Sequence, residues 1–226
     1  MKADFKVENL GSWRRTHYSM EIKPEMNGEE VILMGWVKEI RDLGGICFIV
    51  LKDREGTIQI TIPKKKVDSN LLEKVSLLKR QYCIGVRGMV RSLETAPRGV
   101  EVIPKEIKIL GIAAHPLPID VEGKIPAEID VRLDVRPLDL RREENQAIFR
   151  IQHVVVKTIR DTLSRMGFME VFTPRIIIAA AEGGANLFPV KYFEKEAYLA
   201  QSPQLYKEEL TLSFEKVFEI GTFFRA

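Results

Sequence analysis

The feature that most restricts the fold of this chain is a series of short β-branched segments between Val31 and Leu110. Turn residues separate the segments, among them LGG (43–45) and DREG (53–56). The segments are VILMGWV (31–37), ICFIVL (46–51), TIQITI (57–62), YCIGVRGMV (82–90), GVEVI (99–103) and EIKIL (106–110), and Pro104 separates the last two. Short strands with frequent turns are typical of a small barrel or sandwich.

One helical insert, VDSNLLEKVSLLKR (67–80), interrupts this series. Ser69 or Asn70 is a candidate N-cap, and Leu71 and Val75 lie one helical turn apart. About five strands with a helix between the third and the fourth are typical of an OB-type barrel. A sandwich of similar size is the alternative.

The pattern changes after a segment at 112–128 that contains three prolines and one glycine. This composition predicts a domain boundary. Beyond it, apolar residues recur at helical spacing: Ile148, Ile151, Val155, Ile159, Leu163 and Met166. They predict an amphipathic helix over 143–166, which Gly167 ends. The remaining segments are strand-like at MEVFTP (169–174), YLAQ (198–201) and VFEIGTFF (217–224), with a loop at 182–186 and a helix at 202–212.

Composition excludes several classes of protein. Hydrophobic residues make up 45% of the chain and charged residues 30%, which excludes disorder over the whole chain. Cys47 and Cys83 lie in apolar runs, and the three histidines are scattered, so we expect no disulfide framework, no zinc cluster and a cytoplasmic location. We expect no membrane span and no secretory signal. The net charge of +3 is too small to indicate a nucleic-acid partner by itself.

The hairpin at 46–62 contains the first candidate site. A four-residue DREG turn pairs Lys52 with Thr57, and the alternation of side chains then predicts two distinct faces. The inner face carries Cys47, Ile49, Leu51, Ile58, Ile60 and Ile62; the outer face carries Phe48, Val50, Lys52, Thr57, Gln59 and Thr61. An exposed aromatic beside an amide and a cation suits the stacking and reading of an unpaired base. A half-exposed strand pair with one isolated Phe is the plainer interpretation.

The second candidate site lies near the carboxyl end. Ser202 can cap a helix that starts at Pro203, and Gln204 and Lys207 share a face of that helix. An acid such as Glu182 that pairs with an ammonium, together with a lysine that pairs with a carboxylate, would bind an acidic amino acid. Arg225 is a candidate for binding a phosphate. A capped surface helix with ordinary charges explains the same residues.

Several motifs, taken together, resemble one family. GFMEVFTP (167–174) and VFEIGTFFRA (217–226) resemble the first signature motif and the start of the second in class II aminoacyl-tRNA synthetases. Four further segments resemble aspartyl-tRNA synthetases, in particular their archaeal and eukaryotic branch. They are AEGGANLFPVKYF (181–193), YLAQSPQLYK (198–207), GWVKEIRDLGG (35–45) and RLDVRPLDLRR (132–142), and RRTHYS (14–19) agrees with them.

This resemblance implies an α+β chain in which an OB-fold barrel precedes the first part of a class II catalytic domain, an antiparallel sheet with helices. The expected parts are an N-terminal extension (1–27), an anticodon-binding OB-fold (28–111), a linker (112–130) and the catalytic domain (131–226). The family's tRNA-reading residues match Phe48, Gln59 and Glu101. Residues 143–166 and the strand leading to Pro174 are expected to form a homodimer interface.

The resemblance also implies the roles of residues in the catalytic domain. Glu182 matches the loop residue that binds the ammonium of L-aspartate, and Ser202 and Gln204 match polar contacts to the aminoacyl group. Lys207 matches the partner of the aspartate side chain. Arg225 matches the catalytic arginine that bridges the amino-acid carboxylate and ATP.

The chain departs from the family at Ala226, where the family continues into the residues that hold Mg²⁺. We therefore expect a fragment that does not activate an amino acid alone. Glu208 stands where the family usually has glutamine. An asparaginyl-tRNA synthetase and a non-catalytic tRNA-binding module are the alternatives, and Lys207 favours aspartate over asparagine. The choice between charging one tRNA or two stays open.

Overall fold

The computed structural model describes residues 7–178 and 187–225. It divides into two compact units, Met1–Pro118 and Ile119–Ala226. The division falls within 112–130, the segment in which the prolines predict a linker. The finer division into an extension, a barrel, a linker and a catalytic domain stays a prediction.

Five strands of the first unit form a closed barrel. They are β1 (Glu30–Asp42), β2 (Ile46–Lys52), β3 (Thr57–Pro63), β4 (Cys83–Ser92) and β5 (Val100–Gly111). Their order around the barrel is β1-β2-β3-β5-β4. Neighbours are antiparallel except β3 and β5, which pair in parallel where Ile60 lies opposite Val102. The barrel interpretation is therefore confirmed over the sandwich.

The predicted register of the β2–β3 hairpin is confirmed, with Lys52 opposite Thr57 and Phe48 opposite Thr61. The six residues assigned to its inner face are each at most 3% exposed. Residues of the other strands complete the barrel core: Val31, Leu33, Val37, Ile84, Val86, Val90, Val100, Val102, Ile107 and Ile109. Alternation of apolar residues along each strand fills the barrel interior.

The last two predicted strands form one strand, β5, so the assignment of Pro104 to a turn was wrong. Pro104 lies opposite Gly88, and the next pair is Arg87 with Glu106, so Lys105 forms a bulge. Bulges tolerate proline because the regular ladder is interrupted there. A Cβ at Gly88 would collide with the carbonyl oxygen of Ile103, which explains the glycine opposite this bulge.

The predicted helical insert is confirmed as α1 (Ser69–Leu77), between β3 and β4. The prediction of its cap was wrong, because the N-cap is Asp68, whose carboxylate accepts a hydrogen bond from Leu71 N at 2.7 Å. Leu71 and Val75 are buried against the barrel core. Four short 3-10 segments accompany the first unit's described residues: Ser19–Glu21, Pro24–Met26, Lys64–Lys66 and Pro97–Gly99.

The segment before β1 packs on the barrel. Trp13 is 3% exposed and Ile22 is fully buried. Asp53, in the hairpin turn, accepts hydrogen bonds from Ser19 N at 2.6 Å and Ser19 Oγ at 2.7 Å. Arg98 donates to the carbonyl oxygens of Ser19 at 3.0 Å and of Ile22 at 2.8 Å. The segment is therefore part of the same compact unit as the barrel.

The second unit combines helices with small sheets. Its helices are α2 (Ile129–Asp134), α3 (Arg136–Asp139), α4 (Glu143–Arg165) and α5 (Gln204–Phe214). Its strands are β6 (Met169–Glu170), β7 (Ile176–Ile177), β8 (Pro189–Tyr192), β9 (Lys195–Leu199) and β10 (Val217–Phe218). Strand β10 pairs in parallel with β6, and β7-β9-β8 form an antiparallel sheet.

The predicted helix at 143–166 is confirmed. Helix α4 begins at the predicted residue and ends one residue before the predicted end. The strand predictions for 169–174 and 217–224 were mostly wrong, because only two residues of each are paired. Met169 lies opposite Val217 and Glu170 opposite Phe218, and no described strand continues the ladder beyond them. Apolar, β-branched sequence extends into a strand only where a partner supplies hydrogen bonds.

Asp139 holds the start of the second unit together. Its side chain is fully buried and accepts a hydrogen bond from Arg132 Nε at 2.8 Å and another from Arg136. Asn145 Nδ2 donates to the Asp139 carbonyl oxygen at 2.7 Å. The hydrogen bond from Arg132 is the main reason that the pKa of Asp139 lies below its ordinary value. Through its carboxylate and its carbonyl oxygen, Asp139 thus connects α2, α3 and α4.

Candidate functional site

A concavity of about 230 Å³ on the outside of the barrel contains the three residues expected to read RNA. Phe48 lies on β2, Gln59 on β3 and Glu101 on β5. The other lining residues are Arg41, Leu43, Ile46, Thr61, Arg91, Leu93, Thr95 and Ala96. The barrel therefore brings together side chains from all five strands and two loops.

Glu101 is the centre of a hydrogen-bond network in this concavity. Gln59 Nε2 donates to its Oε2 at 3.0 Å and Thr61 Oγ1 donates to the same oxygen at 2.5 Å. Arg91 Nε donates to Oε1 at 2.7 Å. Glu101 is 1% exposed and Gln59 is 9% exposed. Hydrogen bonds of this kind compensate a buried carboxylate for its lost water and fix its orientation.

Phe48 is half-buried, and its ring lies beside a cation. The Arg41 guanidinium carbon is 6.0 Å from the ring centroid, and Arg41 is the cross-strand partner of Phe48. An aromatic ring with a neighbouring guanidinium is suited to a base that stacks on the ring and a phosphate that meets the cation. Both groups face the same concavity.

The prediction of a half-exposed cation on this face was wrong. Lys52 is 5% exposed and is not among the residues that line the concavity. Sequence reasoning also missed Arg41 and Arg91. The predicted first strand ended at Val37, whereas β1 continues to Asp42 and so reaches Phe48. Arg91 lies opposite Glu101, a pairing that depends on the bulge at Lys105.

In the second unit the candidate substrate residues surround the start of α5. Ser202 Oγ accepts a hydrogen bond from Gln204 N at 3.3 Å, although the helix begins at Gln204 and not at Pro203. Gln204 is exposed and its Nε2 donates to Glu208 Oε1 at 3.2 Å. Lys207 is half-buried one turn into the helix. Glu182 lies outside the described residues.

Arg225 lies beside the strand that leads to Ser202. Phe224 N donates to the carbonyl oxygen of Ala200 at 3.0 Å, which aligns the end of the chain with the end of β9. The Arg225 side chain is exposed. The structure thus brings Ser202 and Arg225 to neighbouring segments.

The residues that the structure describes do not form a metal centre. No cluster of three or more His, Cys, Asp or Glu side chains suited to a metal ion occurs among them. They do not fit a Mg²⁺ site by themselves. In these same residues, no helix has the length and apolar character needed to cross a bilayer.

Comparison with known proteins identifies both units. Residues 31–110 match the family model of an OB-fold nucleic acid binding domain. Residues 128–226 match the model of class II tRNA synthetases of the D, K and N group. The second unit therefore matches the class II tRNA synthetases, and the first matches an OB-fold domain. The expected fold class, an OB-fold followed by the start of a class II catalytic domain, is confirmed.

Curated proteins similar to this chain include archaeal ones. One from Methanococcus vannielii, named aspartate–tRNA(Asp/Asn) ligase, is 55% identical over 218 residues, which cover 96% of the chain and 50% of the relative. One of the same name from Archaeoglobus fulgidus is 55% identical over 210 residues, or 92% of the chain and 49% of the relative. The chain therefore spans about half the length of the curated relatives it matches.

A solved structure also resembles this chain. The asparaginyl-tRNA synthetase of Pyrococcus horikoshii, complexed with asparaginyl-adenylate, superimposes with a TM-score of 0.83 at 34% identity. The match covers 94% of the chain and 48% of that protein. It supports the fold of both units.

Proposed function

We propose that the full-length gene product joins L-aspartate to tRNA at the expense of ATP, and that the barrel reads the anticodon. The observation that carries this proposal is the 55% identity, over 96% of the chain, to a relative named aspartate–tRNA(Asp/Asn) ligase. A cytoplasmic location is part of the proposal. So is a second tRNA substrate, the asparagine tRNA, because the relatives' name includes it.

The barrel concavity supports the reading of unpaired bases. Phe48 offers a ring on which any base can stack. Gln59 offers a hydrogen-bond donor and Glu101 offers acceptors, and a buried network fixes the orientation of both side chains. Fixed hydrogen-bonding groups discriminate between bases because a mismatched base leaves a buried polar group unpaired. Arg41 and Arg91 supply positive charge at the edge of the concavity.

The second unit supplies the amino-acid site in this proposal. Lys207 pairs with the side-chain carboxylate of aspartate, Glu182 binds its ammonium, and Ser202 and Gln204 contact the aminoacyl group. Arg225 neutralises charge on the α-carboxylate and on the α-phosphate of ATP. An oxygen of the α-carboxylate attacks the α-phosphorus, the bond to pyrophosphate breaks, and aspartyl-adenylate forms. A ribose hydroxyl of tRNA then attacks the carbonyl carbon, and AMP leaves.

Catalysis in this scheme depends on orientation and charge neutralisation, without a protein nucleophile. Mg²⁺ would neutralise phosphate charge during the first step. The described residues do not form a site for Mg²⁺, so none of them acts through the metal in this proposal.

The exposed apolar face of α4 supports a homodimer. Ile148 is 61% exposed and Ile151 is 64% exposed, in a helix whose apolar spacing is that of a buried one. Exposed apolar residues on successive turns of one helix are typical of a protein interface. We propose that α4 and the strand leading to Pro174 meet their copies in a second subunit.

Asparagine is the alternative substrate, and the likeness to the Pyrococcus horikoshii asparaginyl-tRNA synthetase is the observation that favours it. A charge-assisted hydrogen bond from Lys207 is worth about 1.5–3 kcal/mol to a carboxylate, more than to a neutral amide. Amino-acid-dependent pyrophosphate exchange by the full-length gene product tests the choice. Exchange with aspartate and not with asparagine is expected, and the reverse would overturn the proposal.

Aminoacylation of purified tRNAs completes this test. Charging of both the aspartate and the asparagine tRNA with aspartate is expected. Binding of tRNA without any exchange or charging would favour a non-catalytic tRNA-binding module.

A further inference from the structure

A buried ion pair in the second unit joins the segment after Thr173 to the segment after β10. Arg175 Nη2 donates to Glu219 Oε1, and Arg175 Nη1 donates to Thr173 O at 2.8 Å and to Thr173 Oγ1 at 3.1 Å. Thr173 in turn donates to Glu219 from its N at 3.1 Å and from its Oγ1 at 2.9 Å. Arg175 and Glu219 are not among the expected site residues, although Glu219 lies within the segment at 217–226 that resembles the second signature motif.

This pair is costly to disturb because the carboxylate is buried. The side chain of Glu219 is 0% exposed and that of Arg175 is 31% exposed. Burial alone would raise the pKa of Glu219, but the hydrogen bonds from Arg175 and Thr173 outweigh it and hold the pKa below its ordinary value. A buried carboxylate that loses its cation keeps the cost of desolvation without the compensating attraction.

Arg175 also contacts the segment that leads to Arg225. Its guanidinium carbon is 4.4 Å from the centroid of the Phe223 ring. A Cβ at Gly221 would collide with Arg175 Nη2, so the glycine leaves room for the guanidinium. The planar guanidinium therefore pairs with one residue of this segment and stacks on another, which lysine cannot reproduce.

The backbone of Arg175 is connected to both halves of the proposed substrate site. Its carbonyl oxygen accepts a hydrogen bond from Ala200 N at 2.9 Å. The carbonyl oxygen of Ala200 accepts one from Phe224 N at 3.0 Å. Ala200 is two residues before Ser202, and Phe224 is the residue before Arg225. The backbone of Arg175 is thus bonded to the segment that leads to Ser202, and Ala200 of that segment is bonded in turn to the segment that carries Arg225.

We propose that Arg175 is a positioning residue that sets Arg225 against the end of β9. It acts through Glu219 and Phe223, and it touches neither substrate. This role rests on the proposed function, because Arg225 is there assigned to the α-carboxylate and ATP. A displacement of about 1 Å in a positioned group can cost on the order of a hundredfold in rate.

The test compares Arg175→Met with Arg132→Met in the full-length gene product, by aspartate-dependent pyrophosphate exchange. Arg132 is the matched control, since its side chain is 26% exposed and pairs at 2.8 Å with a carboxylate that is 0% exposed, in the same unit and remote in sequence from the Arg225 segment. Arg175→Met is expected to lower kcat/KM for ATP by about tenfold or more, and Arg132→Met to change it by less than about twofold.

A second comparison separates positioning from loss of stability. In an Arg225→Lys background the further effect of Arg175→Met is expected to shrink to less than about threefold, because residues that act through one another are not additive. Equal losses in both backgrounds would overturn the positioning role. So would wild-type kinetics of a folded Arg175→Met variant.

Two further outcomes are also decisive. Absence of exchange in the wild-type protein would overturn the proposed function, and the positioning role with it. If Arg175→Met does not fold, Arg175→Lys takes its place, because it keeps the charge and loses the stacking on Phe223. A raised KM for ATP at an unchanged Tm supports the role, and an unchanged KM overturns it.

Discussion

At the scale of single residues, Glu101 shows which part of the proposed RNA site was predictable. Phe48 and Gln59 share a face because strand side chains alternate, and a turn of known length then fixes which residues lie opposite each other. The pairing of Arg91 with Glu101 was not predictable in this way. It depends on a one-residue bulge, whose position is set by tertiary packing of Gly88 against β5.

Phe48→Ala is expected to weaken tRNA binding by about 1–3 kcal/mol, the usual contribution of a base stacked on an aromatic ring. The measurement is filter binding of the aspartate tRNA by the full-length gene product at fixed salt. Phe193→Ala, which removes an aromatic that is 81% exposed in the second unit, is the control and should leave binding unchanged. Loss of the far-ultraviolet circular dichroism signal in Phe48→Ala would place the ring in the core and contradict the assignment.

Lys207→Leu is expected to lower aspartate-dependent pyrophosphate exchange by more than roughly tenfold. The change removes one partner of a desolvated ion pair with the substrate, a loss of about 2–5 kcal/mol. ATP binding should hardly change, because Lys207 is assigned to the amino acid. Lys191→Leu, on the exposed strand β8, controls for the loss of a positive charge. Collapse of ATP binding with unaltered affinity for aspartate would show that Lys207 has another role.

At the scale of elements, the helices were more predictable than the strands of the second unit. Helix α4 satisfies its backbone hydrogen bonds internally, so apolar spacing and Gly167 located it to within one residue. Residues 217–224 have the composition of a strand, but a strand needs a partner, and only Val217 and Phe218 have one among the described residues. Local sequence does not contain that information.

Helix α1 allows a test of its cap at the same scale. Asp68→Ala is expected to destabilise the full-length gene product by about 0.5–2 kcal/mol, because Leu71 N loses its acceptor. Ser69→Ala, the neighbouring candidate that the sequence also suggested, should be nearly neutral. Urea denaturation monitored by tryptophan fluorescence measures both. A larger loss from Ser69→Ala than from Asp68→Ala would mean that the cap is Ser69.

At the scale of the whole molecule, the two units differ in how completely they bury their apolar residues. The barrel encloses a core whose largest members are less than 2% exposed, among them Ile49, Ile60 and Ile84. In the second unit the apolar face of α4 is exposed, although its spacing is that of a core-facing helix. Periodicity in sequence predicts that a face will be covered, and it does not distinguish a covering element of the same chain from a second subunit.

The homodimer proposal predicts that a charge on this face separates the subunits. Ile151 is 64% exposed on α4, and Ile151→Asp would place a carboxylate in a dry contact, where an unpaired charge is unfavourable. Sedimentation velocity of the full-length gene product is expected to show a dimer for the wild type and a shift to monomer for Ile151→Asp. Leu212→Asp, on α5 at a residue that is 88% exposed, is the control and should remain dimeric. A wild-type protein that sediments as a monomer at micromolar concentration would refute the dimer, and a dimeric Ile151→Asp variant would place the interface on another surface.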